Sequence, residues 1–122
     1  MLQAFASGRV FGTTHGSGTP WVLALHGWRR DHRDFAATLD GIDALAVDLP
    51  GFGATPEPDR PWGSADYAEA VAPLLDEVQQ PVVLLGHSFG GRVAAHLAAR
   101  HAGAVKANPI AQRYRPTTAW IN

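Results

Sequence analysis

The chain has 122 residues, 46% of them apolar, which suffices for one small domain with a core and excludes two. A net charge of −1 creates no field that would draw in nucleic acid or an anionic membrane, and the absence of cysteine excludes disulfides and thiolate metal sites. The opening Met-Leu-Gln-Ala-Phe-Ala-Ser-Gly-Arg lacks the basic and apolar regions of a signal peptide, and no apolar run approaches about 20 residues, so a soluble, cytoplasmic protein is expected.

In chain order, residues 2–14 alternate loosely around Gly8 and predict a short hairpin. His15 to Pro20 is a loop. Three apolar runs follow at 21–25, 44–47 and 82–85, each short and bounded by glycine, proline or polar residues. Such runs fit strands covered on both faces, as in a parallel sheet under helices. Between them lie helical patterns. Asp31 to Asp40 places Phe35, Ala36 and Leu39 on one face, and Ser64 to Gln79 spaces Tyr67, Val71, Leu74, Leu75 and Val78 at helical intervals. Pro73 lacks an N–H, so a kink or late start is expected there. Thr55 to Pro61, with three prolines, reads as a surface loop. Residues 88–101 form the third helix, burying Val93, Ala94, Leu97 and Ala98. Strand and helix alternate, which predicts an α/β fold: a three-layer α/β sandwich with a mostly parallel sheet and helices on both faces.

Gly86-His87-Ser88-Phe89-Gly90 fits Gly-x-Ser-x-Gly between the third strand and the third helix. A serine in that tight turn has its hydroxyl lifted clear of the sheet, at a helix N-terminus that favours developing negative charge. Glycine at 86 and 90 removes the Cβ atoms that would collide where strand and helix approach closely, and Gly91 serves the same packing. In the alternative reading Ser88 merely caps the helix. His26-Gly27-Trp28 ends the first buried strand, where the backbone N–H of Trp28 can face the same pocket as that of Phe89. Two such donors would form an oxyanion hole. His26 is read as a residue tying down the loop, and His15, His32 and His87 as loop or turn residues.

Leu-His-Gly-Trp at 25–28, Asp-Leu-Pro-Gly-Phe-Gly at 48–53 and Gly-His-Ser-Phe-Gly-Gly at 86–91, in this order and spacing, resemble the N-terminal half of α/β-hydrolase fold enzymes. The resemblance covers residues 9 to 105. It implies Ser88 as nucleophile, Phe89 and Trp28 as backbone donors, and Asp48 as a residue organising the loop after its strand. Relatives that open epoxides or displace halide use aspartate in place of Ser88. The implied class is therefore a serine hydrolase, of esterase type, acting on an ester, thioester or related acyl bond of a small molecule, with neither cofactor nor metal.

All eleven acidic residues lie between Asp31 and Glu77, so the family order of serine, acid, histidine cannot be completed after Ser88. His96, on the helix that starts at the serine, would lie about 12 Å along it and out of reach. Residues 106–122 read as an atypical tail in which Pro109 spoils a strand and Arg113 and Arg115 are solvated. The strand at 82–85 would then be an exposed apolar edge, open to self-association. The chain is accordingly read as a single incomplete domain over 1–122, a truncated α/β-hydrolase fold without its acid and base. A non-catalytic protein binding a small ligand in the same pocket is the alternative.

Overall fold

The computed structural model describes residues 2–106 and the strand Thr118–Ile121. Six strands form one sheet: β1 (Leu2–Phe5), β2 (Val10–His15), β3 (Val22–Leu25), β4 (Ala44–Asp48), β5 (Val83–His87) and β6 (Thr118–Ile121), in the order β1-β2-β4-β3-β5-β6. The β1–β2 hairpin is antiparallel, and β2 runs antiparallel to β4. The β4-β3-β5-β6 group is parallel, as crossover connections require. The hairpin turn takes Ala6, Ser7 and Gly8 through positive φ, and both Glu77 carboxylate oxygens accept the Ala6 N–H.

Every side chain of β3 and β4 is buried, because each face of the sheet has its own cover. Leu23, Leu25, Leu45, Val47 and Leu84 pack with helices α1 (Ser64–Val71), α2 (Pro73–Val78) and α3 (Phe89–Arg100). Val22, Ala24, Ala44 and Ala46 meet Phe35 and Leu39 on the opposite face. The two-residue alternation thus sorts the apolar runs into two cores. Pro73 divides the long helical pattern in two and opens α2 as its first residue, the position where a missing N–H costs least. On α3, Val93, Ala94 and Leu97 are buried and Ala98 half-buried.

Two expectations are corrected. Residues 31–40 are not an α-helix: His32–Phe35 is a 3-10 turn followed by further turns, with Ala36 exposed. Phe35 and Leu39 are the buried side chains that cover the sheet there, and a ten-residue segment with only two such anchors is too short to hold a helix by itself. Nor is β5 an exposed edge. β6 pairs with it in parallel from Leu84↔Thr118 to His87↔Ile121, and Val105 bridges to Val82. Thr118 to Ile121 contains no proline and three residues of high strand propensity, and it lies within the stretch read as an atypical tail, where four residues are too few to show a period of two. Pro109, Arg113 and Arg115 lie outside the described residues.

Candidate active site

At the C-terminal end of β5 the chain turns sharply into α3. Ser88 occupies the turn with φ 53° and ψ −115°, a region that residues with side chains seldom adopt. It stands at the N-cap position of α3, yet its side chain makes no capping hydrogen bond, and the residue is exposed. The capping alternative therefore fails: a serine retained for its cap would accept an N–H from the first turn.

The surrounding glycines are sterically required. A Cβ on Gly86 would lie 2.5 Å from the Gly91 Cα, and one on Gly90 would fall on the Leu25 carbonyl oxygen. A Cβ on Gly27 would meet His87 Nδ1 at 3.1 Å and the Ser88 Cβ at 3.5 Å. Through these contacts the backbone after β3 lies directly against the elbow. Gly27 to Arg30 forms a turn closed by the Arg30 N–H donating to the Gly27 carbonyl at 3.1 Å, with Arg29 at φ 64° in its third position. In such a turn the N–H of the second residue, Trp28, takes no part in the closing bond. Among the described residues neither the Trp28 nor the Phe89 N–H donates to another backbone carbonyl, and the two side chains stack edge to face with centroids 5.1 Å apart.

His26 ties the two neighbouring loops together from within the core. Its Nδ1–H donates to the Gly27 carbonyl at 2.7 Å, while Nε2 accepts the Leu49 N–H at 2.9 Å. Burial lowers its pKa, so the ring stays neutral in that tautomer. Asp48 is equally buried. One carboxylate oxygen accepts both the His32 N–H and the His32 Nδ1–H at 2.8 Å, and the other accepts the Ala54 N–H at 3.0 Å. A Cβ on Gly53 would fall on that carboxylate, so the Asp-Leu-Pro-Gly-Phe-Gly loop is wound tightly around Asp48. Asp31, His32 and Asp48 offer ligand atoms within 4.8 Å of one another, but Asp48 and His32 already use theirs on each other and on backbone N–H groups.

No histidine or carboxylate among the described residues is hydrogen-bonded to Ser88. His96 lies on α3 with Nε2 3.0 Å from the Ser64 hydroxyl of α1. The elements bring Ser88, Phe89, Trp28, Gly27 and His87 together and hold His26 and Asp48 one loop away. Sequence reasoning missed His32 as the partner of Asp48. It also missed the rings around Trp28, namely Phe52 at 4.9 Å and Tyr67 at 6.3 Å, because these contacts join segments whose spacing carries no signal.

The sequence profile described as "Alpha/beta hydrolase family" matches residues 22–121. Lipase LipV of Mycobacterium tuberculosis is 43% identical over 91 residues, 68% of this chain and 33% of its own length. A pimeloyl-[acyl-carrier protein] methyl ester esterase of Neisseria meningitidis is 35% identical over 102 residues, 80% of this chain and 38% of that protein. Among solved structures, an esterase of M. tuberculosis superposes with a TM-score of 0.76 at 27% identity, covering 93% of this chain and 42% of the other. The chain thus spans between 33% and 42% of the length of these three relatives.

Proposed function

The chain belongs to the α/β-hydrolase family, and from that premise we propose that it carries the nucleophile and oxyanion-hole half of a serine hydrolase site for small acyl esters or thioesters. The observation that carries the reading is the uncapped, exposed Ser88 at a strained φ of 53°. Strain without a capping bond has a use if the hydroxyl must face a substrate. Ser88 Oγ would attack the acyl carbon, the carbonyl electron pair moving onto oxygen, where the Trp28 and Phe89 N–H groups receive it. Collapse expels the alcohol or thiol, and water then releases the acid by the same route. The names of the lipase and esterase relatives support an ester as the bond class.

The base that takes the Ser88 proton is not assigned to this chain. No Asp or Glu follows Ser88 in this sequence, and His96 is engaged with Ser64. The reading therefore joins a competent nucleophile turn to an incomplete proton-transfer system. The test is an uncharged alkyl fluorophosphonate. The P–F bond breaks, a P–Oγ bond forms, fluoride leaves, and hydroxide of an alkaline buffer takes the serine proton in place of the unassigned base. One equivalent should appear on the Ser88 peptide by mass spectrometry and none in Ser88→Ala, with no steady turnover of a nitrophenyl acyl ester. A folded chain that takes no label, or labels equally after Ser88→Ala, overturns the nucleophile. Ser88-dependent turnover overturns the incompleteness. The Trp28, Phe89 and Tyr67 rings beside Ser88 also favour a second reading, a non-catalytic ligand-binding protein, whose signature is a fatty-acid-dependent fluorescence change lost in Trp28→Phe, in a chain that never labels.

A further inference from the structure

The two backbone donors of the proposed oxyanion hole come from different loops, one after β3 and one at the start of α3, and both residues carry aromatic rings. Those rings share a third. Tyr67 of α1 meets the Phe89 ring at 5.2 Å and 88° and the Trp28 ring at 6.3 Å and 81°, while Trp28 and Phe89 meet each other at 5.1 Å. The three edge-to-face contacts close a triangle. Trp28 is 52% exposed and also meets Phe52 of the loop after β4 at 4.9 Å, but of the rings around it Tyr67, 5% exposed, stands on a helix anchored in the core by Ala68 and Val71. On its outer side Tyr67 rests on Trp62 at 5.2 Å.

We propose that Tyr67 is a positioning residue that braces the Trp28 and Phe89 backbone donors at a fixed separation, transmitting the rigidity of α1 to the oxyanion hole. The role rests on the Ser88 reading above. Offset and edge-to-face aromatic contacts have preferred geometries, so each ring of the triangle favours particular orientations of the other two. An oxyanion donor acts only where it meets the developing charge, and small displacements at such sites lower rates about a hundredfold. The ring carries the function here: no hydrogen bond of the Tyr67 hydroxyl to another described residue enters the contact.

The experiment compares Tyr67→Phe, Tyr67→Met and Trp62→Leu with the unaltered chain, reading the rate of fluorophosphonate attachment to Ser88 and, on unlabelled protein, the Trp28 and Phe89 amide resonances and exchange rates. Tyr67→Phe should match the unaltered chain within about twofold. Tyr67→Met should slow labelling about tenfold or more and move both amides together, leaving β3 and β4 amides in place. Trp62→Leu, which removes the half-buried ring packed against Tyr67, should move the same two amides by a smaller amount and keeps the test alive if Tyr67→Met fails to fold. The brace is overturned if either ring deletion leaves both amides and the labelling rate unchanged in a folded chain. It is also overturned if Tyr67→Phe behaves like Tyr67→Met, or if strand amides move as much as those of Trp28 and Phe89. Should the unaltered chain take no label, the Ser88 reading fails by itself, and the amide comparison alone decides the brace.

Discussion

His26 shows how one buried polar side chain can organise a site without touching it. With both ring nitrogens engaged, one donating to Gly27 and one accepting from Leu49, it fixes the loop that presents Trp28 relative to the loop after β4. The cost is a ring that cannot easily accept a proton. Burial holds its pKa below the ordinary 6.5, whereas the unfolded chain protonates at the ordinary value. Below pH 6.5 the unfolded state therefore binds more protons, and stability must fall with pH. The other acids on this loop do not confuse the window. Asp31, hydrogen-bonded by Arg33, has its pKa lowered to about 2, and Asp34 is lowered by Arg30, so both stay ionised. Urea unfolding should lose stability as pH falls from about 7.5 to about 5.5, with a His26 contribution bounded by about 1.4 kcal/mol per pH unit, and His26→Gln should flatten that slope. An unchanged slope in the variant would assign the acid sensitivity elsewhere. The sequence makes His26 legible as a tie because it sits between a buried strand and a glycine. His32 was not legible as the partner of Asp48, since 16 residues separate them and only the folded loop brings the two side chains within 2.8 Å.

Among the elements, the β5–α3 unit depends on backbone contact that leaves no room for side chains. In an ordinary helix interior, alanine in place of glycine gains about 1 kcal/mol. At Gly90 the sign reverses, because the added methyl would fall on the carbonyl oxygens of Leu25 and His26, atoms that the β3 ladder and the Trp28 turn hold in place. Gly90→Ala should destabilise the chain by about 3 kcal/mol or prevent folding, while Gly103→Ala, where a methyl meets nothing within 4 Å, should stay within about 0.5 kcal/mol in the same urea measurement. Equal effects at the two positions would mean that α3 can withdraw from the sheet. The strands and this helix were readable because their apolar runs are buried on both faces or on one continuous stripe. The 31–40 segment was misread because Phe35 and Leu39, four apart, satisfy a helical pattern that a 3-10 turn and its continuation satisfy equally well.

Across the whole molecule the two faces of the sheet are covered unequally. Three helices lie on one side, whereas the opposite side is covered by the stretch around Phe35 and Leu39, which reaches β3 and β4. The consequence appears on β5, where Val83, Leu85 and His87 are only half-buried although β3 and β4 are wholly enclosed. A parallel strand that is half-covered on one face and unpaired on one edge would be a template for another chain. In the sequence β5 looked like such an edge. What escaped notice was that four residues at 118–121 suffice to pair it, since a short strand adjoining an existing sheet needs little periodicity of its own to form a ladder. Removing residues 117–122 should therefore release the β5 edge. At equal concentration the shortened chain should show a higher weight-average mass by light scattering than the full chain, with circular dichroism confirming that its helices persist. Equal masses for two folded chains would mean that the half-covered face and the freed edge together are insufficient for association, and β6 would then matter to the shape of the sheet alone.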